Sequence, residues 1–314
     1  MFTLITHLAL LALVQPDAAA AQATAPSDAA KVVEQAEKRQ VTAAIELWGD
    51  ATGEADFDDD NGTVQTSRVG ADFEVGIPVG DRSLFAVSVG TSGLFYDFGG
   101  DEGFGALDPW DTILEHTVGL GFAHEYNERW SFGGRAFVRS SGEQDADFGE
   151  SLIFGGGAGF EYVFNDRFRA GPGVVVISQL EDDALILPIV TFRWQMADKW
   201  SASSRIGTGS GVGAGAGIQY QATETVVIFA GGGYQSHRFR LDDEDVAPDG
   251  VGESTGIPVT VGVSWQAHPQ VALSLRGGMI FGREFVLDDE DGDEIEELDA
   301  DAAPFLGATL RFTF

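Results

Sequence analysis

The last nine residues, LGATLRFTF at positions 306–314, decide the fold. Successive side chains of an extended chain point to opposite faces, so Leu306, Ala308, Leu310, Phe312 and Phe314 share one side and Gly307, Thr309, Arg311 and Thr313 the other. The stretch reads as a strand whose apolar face ends in a terminal aromatic. Working back from it, residues 41–314 divide into runs of the same period-two character. They lie near 41–52, 64–78, 83–96, 112–126, 130–141, 151–164, 168–180, 184–196, 200–208, 213–221, 226–240, 255–267, 271–286 and 303–314. The count is fourteen, and no long helical pattern interrupts it.

The connections alternate between short and long. The short ones resemble one another: Gly80-Asp81-Arg82-Ser83, Asn127-Glu128-Arg129-Trp130, Asn165-Asp166-Arg167-Phe168, Ala197-Asp198-Lys199-Trp200, Thr223-Glu224-Thr225 and His268-Pro269-Gln270. Each is a polar turn closing a hairpin. Aromatics gather beside them at one end of the strands: Tyr126, Trp130, Phe164, Phe168, Trp194, Trp200, Tyr220, Trp265 and Phe314. The long connections carry acid. Segments 50–60, 97–111, 143–150, 181–183, 242–253 and 284–301 hold 35 of the 50 acidic residues, against 18 basic residues in the whole chain and a net charge of −32. A balance this acidic excludes a nucleic-acid binder, which needs clustered Lys and Arg. The 44% apolar content excludes a chain kept disordered by its charge. With no cysteine, disulfide scaffolds and thiolate metal sites are excluded as well.

The same alternation sorts residues into an apolar face and a polar one. In 112–126, Leu114, Val118, Leu120 and Phe122 oppose Glu115, Thr117, Gly119, Gly121 and Glu125. Repeated along the chain, this gives a polar face carrying Glu46, Arg68, Asp72, Glu74, Glu115, Glu125, Arg135, Arg139, Glu161, Arg169, Arg193, Arg205, Arg276, Glu284 and Arg311. Its signs are mixed, as expected where charges line an enclosed interior and need partners or retained water. Run 226–240 does not sort, because Val226 to Ala230 is apolar on both faces.

With these features in hand, residues 41–314 resemble a bacterial outer-membrane β-barrel of an uncharacterised, porin-like family: an even strand number, alternating short and long connections, an aromatic ring and a terminal Phe. The resemblance implies an all-β fold, a single antiparallel up-and-down transmembrane barrel of about 14 strands. It implies that Leu310, Phe312 and Phe314 serve as the assembly signal read by the barrel assembly machinery. It also implies that both chain ends lie in the periplasm, that the long loops are extracellular, and that outer-membrane lipid and lipopolysaccharide surround the barrel. Residues 1–23 read as a signal peptide, with an apolar run Leu8 to Val14 and a small-residue exit at Ala21-Gln22-Ala23. Residues 24–40 read as a short lead, either flexible and periplasmic or a small helical plug.

No catalytic constellation is found. His116 and His124 share the phase of the apolar face, but no serine has a nucleophile context and GxSxG is absent. The Gly-rich run 207–217 lacks the GK[ST] ending of a phosphate loop, and the acidic loops fail the EF-hand spacing. No cofactor, catalytic residue or metal ligand is therefore expected, beyond weak and diffuse divalent-cation binding at the outer loops. The leading functional expectation is a passive channel for small solutes or ions whose acidic rim concentrates cations. A closed structural or surface-interaction barrel is the alternative. A hydrophobic-substrate transporter and a membrane hydrolase rank below both.

Overall fold

The computed structural model describes residues 41–58, 62–207, 212–243 and 246–314, and among these the side chains of 205–207, 212 and 213 are excepted. The signal-peptide and lead expectations for 1–40 lie outside the described residues. Sixteen strands follow in chain order: β1 (Thr42–Thr52), β2 (Ala55–Asp56), β3 (Thr63–Val79), β4 (Ser83–Gly99), β5 (Thr112–Glu125), β6 (Trp130–Glu143), β7 (Leu152–Asn165), β8 (Phe168–Gln179), β9 (Asp182–Ala197), β10 (Trp200–Gly207), β11 (Val212–Gln221), β12 (Val226–Arg240), β13 (Val251–His268), β14 (Val271–Asp288), β15 (Glu294–Ala300) and β16 (Ala303–Thr313). One short helix, α1 (Gly103–Leu107), sits between β4 and β5. Fourteen strands form an antiparallel ring in sequence order, and β1 closes it by pairing with both β3 and β16. The short β2 and β15 stand off the ring as extensions of neighbouring hairpins. The fourteen expected runs match these strands, the largest discrepancy being the start of β13 at Val251 rather than 255.

Local chemistry makes the turns. Asn127 Oδ1 accepts the backbone N–H of Arg129 at 2.9 Å and of Trp130 at 3.0 Å, and Asn165 Oδ1 accepts that of Arg167 at 2.9 Å. Later hairpins share a second device, in which a glutamine ahead of the turn donates to a turn carbonyl: Gln195 to Ala197 (2.6 Å), Gln221 to Thr223 (2.5 Å) and Gln266 to His268 (2.7 Å). These side chains satisfy turn groups that the ladder leaves open.

The wall has an apolar exterior. Leu47, Val69, Phe73, Val89, Val118, Leu120, Phe154, Val174, Ile186, Val190, Ile228, Val261, Leu275 and Leu306 are all exposed. In water so continuous a surface would be an aggregation liability; on a closed barrel it is the face that meets hydrocarbon. At the turn end the aromatics touch in series, Trp130 on Tyr162 (4.9 Å between ring centroids), Tyr162 on Phe164 (4.9 Å), Phe164 on Phe168 (5.4 Å) and Phe168 on Trp194 (6.4 Å).

Inside, glycines have a specific use. Trp48 pairs across the sheet with Gly70, Phe137 with Gly155, Phe239 with Gly252 and Phe229 with Gly262. In each pair a Cβ on the glycine would come within 2.4 Å of the facing ring. The missing side chain lets the ring lie flat on the wall, which fills a narrow interior without widening it.

The loop end is not an open mouth. β12 meets β6 in a parallel bridge, Arg240 opposite Gly142, across the interior from its proper neighbours. That contact pinches the ring into two lobes. One holds Phe57, Val64, Leu94, Tyr96, Phe98, Phe104, Trp110, Ile113, Phe239, Leu241, Phe285, Leu287 and Leu298; the other holds Phe137, Ile153, Val175, Ile177, Leu180 and Val251. Between Ser236 and Leu241 β12 is buried or half-buried on both faces. Run 226–240 also sorts at its turn end, contrary to the sequence reading: Val227 and Phe229 are buried while Ile228 is exposed.

Candidate functional site

The interior of the ring is the concave surface on which the polar face converges. Glu46 lies opposite Arg311 and accepts from its Nη1 at 3.3 Å. Asp72 Oδ2 accepts the indole N–H of Trp48 at 2.8 Å, and Arg135 Nη2 donates to Ser88 at 2.5 Å. Arg68 grips Asp50 with Nε (2.9 Å) and Nη2 (3.1 Å), and Arg276 reaches the same carboxylate at 2.9 Å. Arg68 Nη1 lies 3.1 Å from His237 Nε2, joining β3 to β12 across the interior. Glu115 is the most enclosed carboxylate: it accepts from Ser92 (3.1 Å) and Ser141 (3.3 Å), with Arg139 and His237 each 3.9 Å away. Paired charges of this kind brace a narrow interior at low net charge.

Toward the turn end the packing loosens. Glu125 and Glu161 are buried, and Arg169 and Arg193 are half-buried on the same side of the wall. Arg169 lies in electrostatic reach of both carboxylates and Arg193 of Glu161, and neither arginine makes an ion pair within 4.0 Å among the described residues. Separated charges leave room for water between them. Glu74 is half-buried in electrostatic reach of Arg311 and Arg135, and the side chain of Arg205 lies outside the described residues.

One expectation needs correction. Glu284 does not belong to the inward face. Gly282 has φ +53°, and β14 carries Gly282 and Arg283 where β13 has Gly256 alone between paired residues, which is a bulge. Past it the phase reverses, so Arg283, Phe285 and Leu287 are buried and Glu284 points away from them. Part of the loop acid is paired. Asp50 is inside the barrel, Arg238 binds Glu253 at 2.9 Å and Asp288 at 2.8 Å, and Arg240 binds Glu181 and the carbonyls of Asp249 and Glu150. Arg238 also donates to the carbonyl of Leu180 at 2.8 Å. The two arginines tie four loops to the end of β12.

Sequence reasoning missed Asp50, His237, Arg238, Arg240 and Arg283, and the aromatic residues Phe104 and Trp110, which lie in an acid-rich stretch. A Trp and a Phe in such a stretch are the signal that was available. On the outer face His124 Nδ1 is 2.9 Å from Ser83 Oγ and His116 Nδ1 3.0 Å from Thr91 Oγ1. Among the described residues no carboxylate or amide orients either imidazole, so neither forms a triad. No group of three or more His, Asp or Glu is gathered as a metal site among the described residues.

A ring of fourteen antiparallel strands with an apolar exterior and a braced polar interior defines an outer-membrane type of β-barrel. The chain belongs to the family described as Domain of unknown function (DUF6268), whose model matches residues 57–312. No protein in the curated comparison matches it. Among solved structures it is similar to the TodX deltaS2S3 mutant monoaromatic hydrocarbon channel, with 12% identity over 87% of this chain and 90% of that one and a TM-score of 0.52. It is also similar to a Pseudomonas aeruginosa FadL homologue (13% identity, 100% and 97% covered, TM-score 0.51) and to an outer-membrane channel from Pseudomonas putida F1 (11%, 87% and 95%, TM-score 0.49). At such identities the likeness establishes the fold.

Proposed function

We propose that this barrel is an outer-membrane channel for small apolar or amphipathic molecules rather than for free ions. The observation that carries the reading is the apolar filling of the loop end. Seven aromatic rings meet there, for example Trp110 on Phe239 (5.2 Å between centroids), Phe98 on Trp110 (5.4 Å) and Phe57 on Phe285 (5.7 Å). A small cation crossing such a layer would shed its water with no carboxylate among the rings in return, at a cost of several kcal/mol. An apolar solute replaces ring contacts with similar ones and meets no such barrier. Two barrels of like fold are named for a hydrocarbon and as a FadL homologue, which agrees with the reading.

In this proposal both chain ends face the periplasm, the long loops face outward among lipopolysaccharide, and the strand ending in Phe314 is what the assembly machinery engages. The paired charges of the inner half hold the wall, and the spaced ones near the turns hold water. The test is reconstitution with two readouts, ion conductance in planar bilayers and transfer of an aromatic hydrocarbon into liposomes. Accelerated hydrocarbon transfer without steady conductance supports the proposal. Steady cation-selective conductance would establish the acidic-rim pore instead, and silence in both readouts a closed scaffold.

A further inference from the structure

Within the aromatic lobe one cation has no counter-charge among the described residues. Arg283 is 3% exposed, its guanidinium carbon lies 5.1 Å from the centroid of Phe285, and its Nη1 has no hydrogen-bond acceptor among the described residues. Every other buried arginine described above has a carboxylate, hydroxyl or carbonyl partner, or carboxylates nearby. A second donor in the same lobe is also unsatisfied: Trp110 is 1% exposed, and its indole N–H meets no acceptor among the described residues. The two are linked by rings in contact, since Tyr96 touches both Trp110 (6.0 Å) and Phe285 (6.5 Å) and Phe98 touches the same two (5.4 and 6.2 Å). The Tyr96 hydroxyl is paired with Ser254 at 2.9 Å. Buried donors without acceptors are rare because each keeps its full desolvation penalty, largest when the group is charged.

The arrangement is built rather than incidental. Without the bulge at Gly282, Arg283 would point to the outside of β14; the left-handed glycine turns it inward. Its stem lies against Gly256, where an added Cβ would sit 3.8 Å from Arg283 Cγ. Two donors and no acceptor, set among aromatic rings, call for a ligand with an anionic end and an apolar body.

We infer that Arg283 and Trp110 form a recognition site for a small apolar or aromatic carboxylate in the lobe formed by Tyr96, Phe98, Phe239 and Phe285. This deepens the apolar-channel reading and rests on it: the rings take the body of the solute, and the guanidinium takes its carboxylate by a charge-assisted hydrogen bond. The ligand class thereby narrows from apolar molecules in general to apolar acids.

The experiment compares para-butylbenzoate with its neutral isostere para-butylbenzamide on the full barrel in lipid nanodiscs, followed by tryptophan quenching, with hydrocarbon transfer measured on the same preparations. The expected result is that the carboxylate binds about tenfold tighter than the amide. Arg283→Gln should bring the carboxylate to the level of the amide, Arg283→Lys should retain part of the preference, and Trp110→Phe should remove most of the quenching. Heat-modifiable gel migration verifies that each variant is folded, and a variant that fails is replaced by Arg283→Met. Equal affinity of the two probes for the parent protein, or a preference unchanged in Arg283→Gln, overturns the site while hydrocarbon transfer still stands. Absence of binding by both probes together with absence of hydrocarbon transfer overturns the channel reading and the site with it.

Discussion

Gly282 shows how much a single residue carries in this wall. At φ +53° an L-amino acid is strained, although an added Cβ would meet nothing within 4 Å. Gly282→Ala should therefore cost about 1–2 kcal/mol through the backbone alone, read as a shift in urea unfolding followed by tryptophan emission. Deleting Gly282 should leave the phase intact, because Arg283 alone then faces Gly256 and Phe285 and Leu287 still follow it inward. A deletion that costs far more than the alanine in the same urea measurement would mean that the glycine does more than absorb the extra residue of the bulge. The same residue marks the limit of reading the sequence. Alternation placed Glu46, Glu115, Arg139 and Arg311 on the buried face because one period holds unbroken through their strands, and it misplaced Glu284 because nothing in the letters GREF announces a change of phase.

At the scale of elements, the ladder between β9 and β10 is short among the described residues. β9 pairs with β8 as far as Asp182, but its pairing with β10 stops at Arg193 opposite Ser203. Just beyond, the N–H of Phe192 is taken by the Ser204 side chain at 2.9 Å instead of by a backbone carbonyl. Pro188, which has no N–H to offer, lies farther along this unpaired edge. Backbone groups open toward lipid are costly, so the seam is the weakest part of the wall. Amide exchange in nanodiscs should be faster over residues 189–192 than over 174–177 of β8, which pairs on both sides; equal protection would mean that the seam closes in lipid. The β14–β15 hairpin makes a different prediction. Partial burial, and then the neighbouring Glu297, Asp299 and Glu253, push the Glu284 carboxyl above the ordinary glutamate value. The folded hairpin thus holds this proton more tightly than the unfolded chain does. The resulting stabilisation is complete below the ordinary glutamate range and is lost as pH rises through the raised value. Proteolysis of the hairpin should be slower at pH about 5 than at about 7, with the difference reduced in Glu284→Gln.

The whole molecule was legible as a ring and illegible as a closed one. Strand number and limits follow from a period that a membrane wall enforces on every crossing. The loop end is formed by contacts between segments far apart in the chain, Phe57 with Phe285 and Tyr96 with Phe239, and no local pattern records them. Part of the acid in those loops binds Arg238 and Arg240, pairings that the count of charges per loop does not reveal. Removing one of these ties should loosen the whole end. Arg240→Ala leaves Glu181 and two backbone carbonyls without their donor, and should cost about 1–3 kcal/mol, because the exposed Glu181 is solvated in its absence. The melting point by heat-modifiable migration should fall, and brief conductance events should appear in planar bilayers where the parent protein shows none.

The bridge between β6 and β12 also divides the wall. Arg240 and Gly142 are about a hundred residues apart, and the hairpins from β7 to β11 hang between them as a closed loop. A ring stitched across in this way is two smaller loops sharing one tie, so that neither can widen at its outer end without pulling on the other.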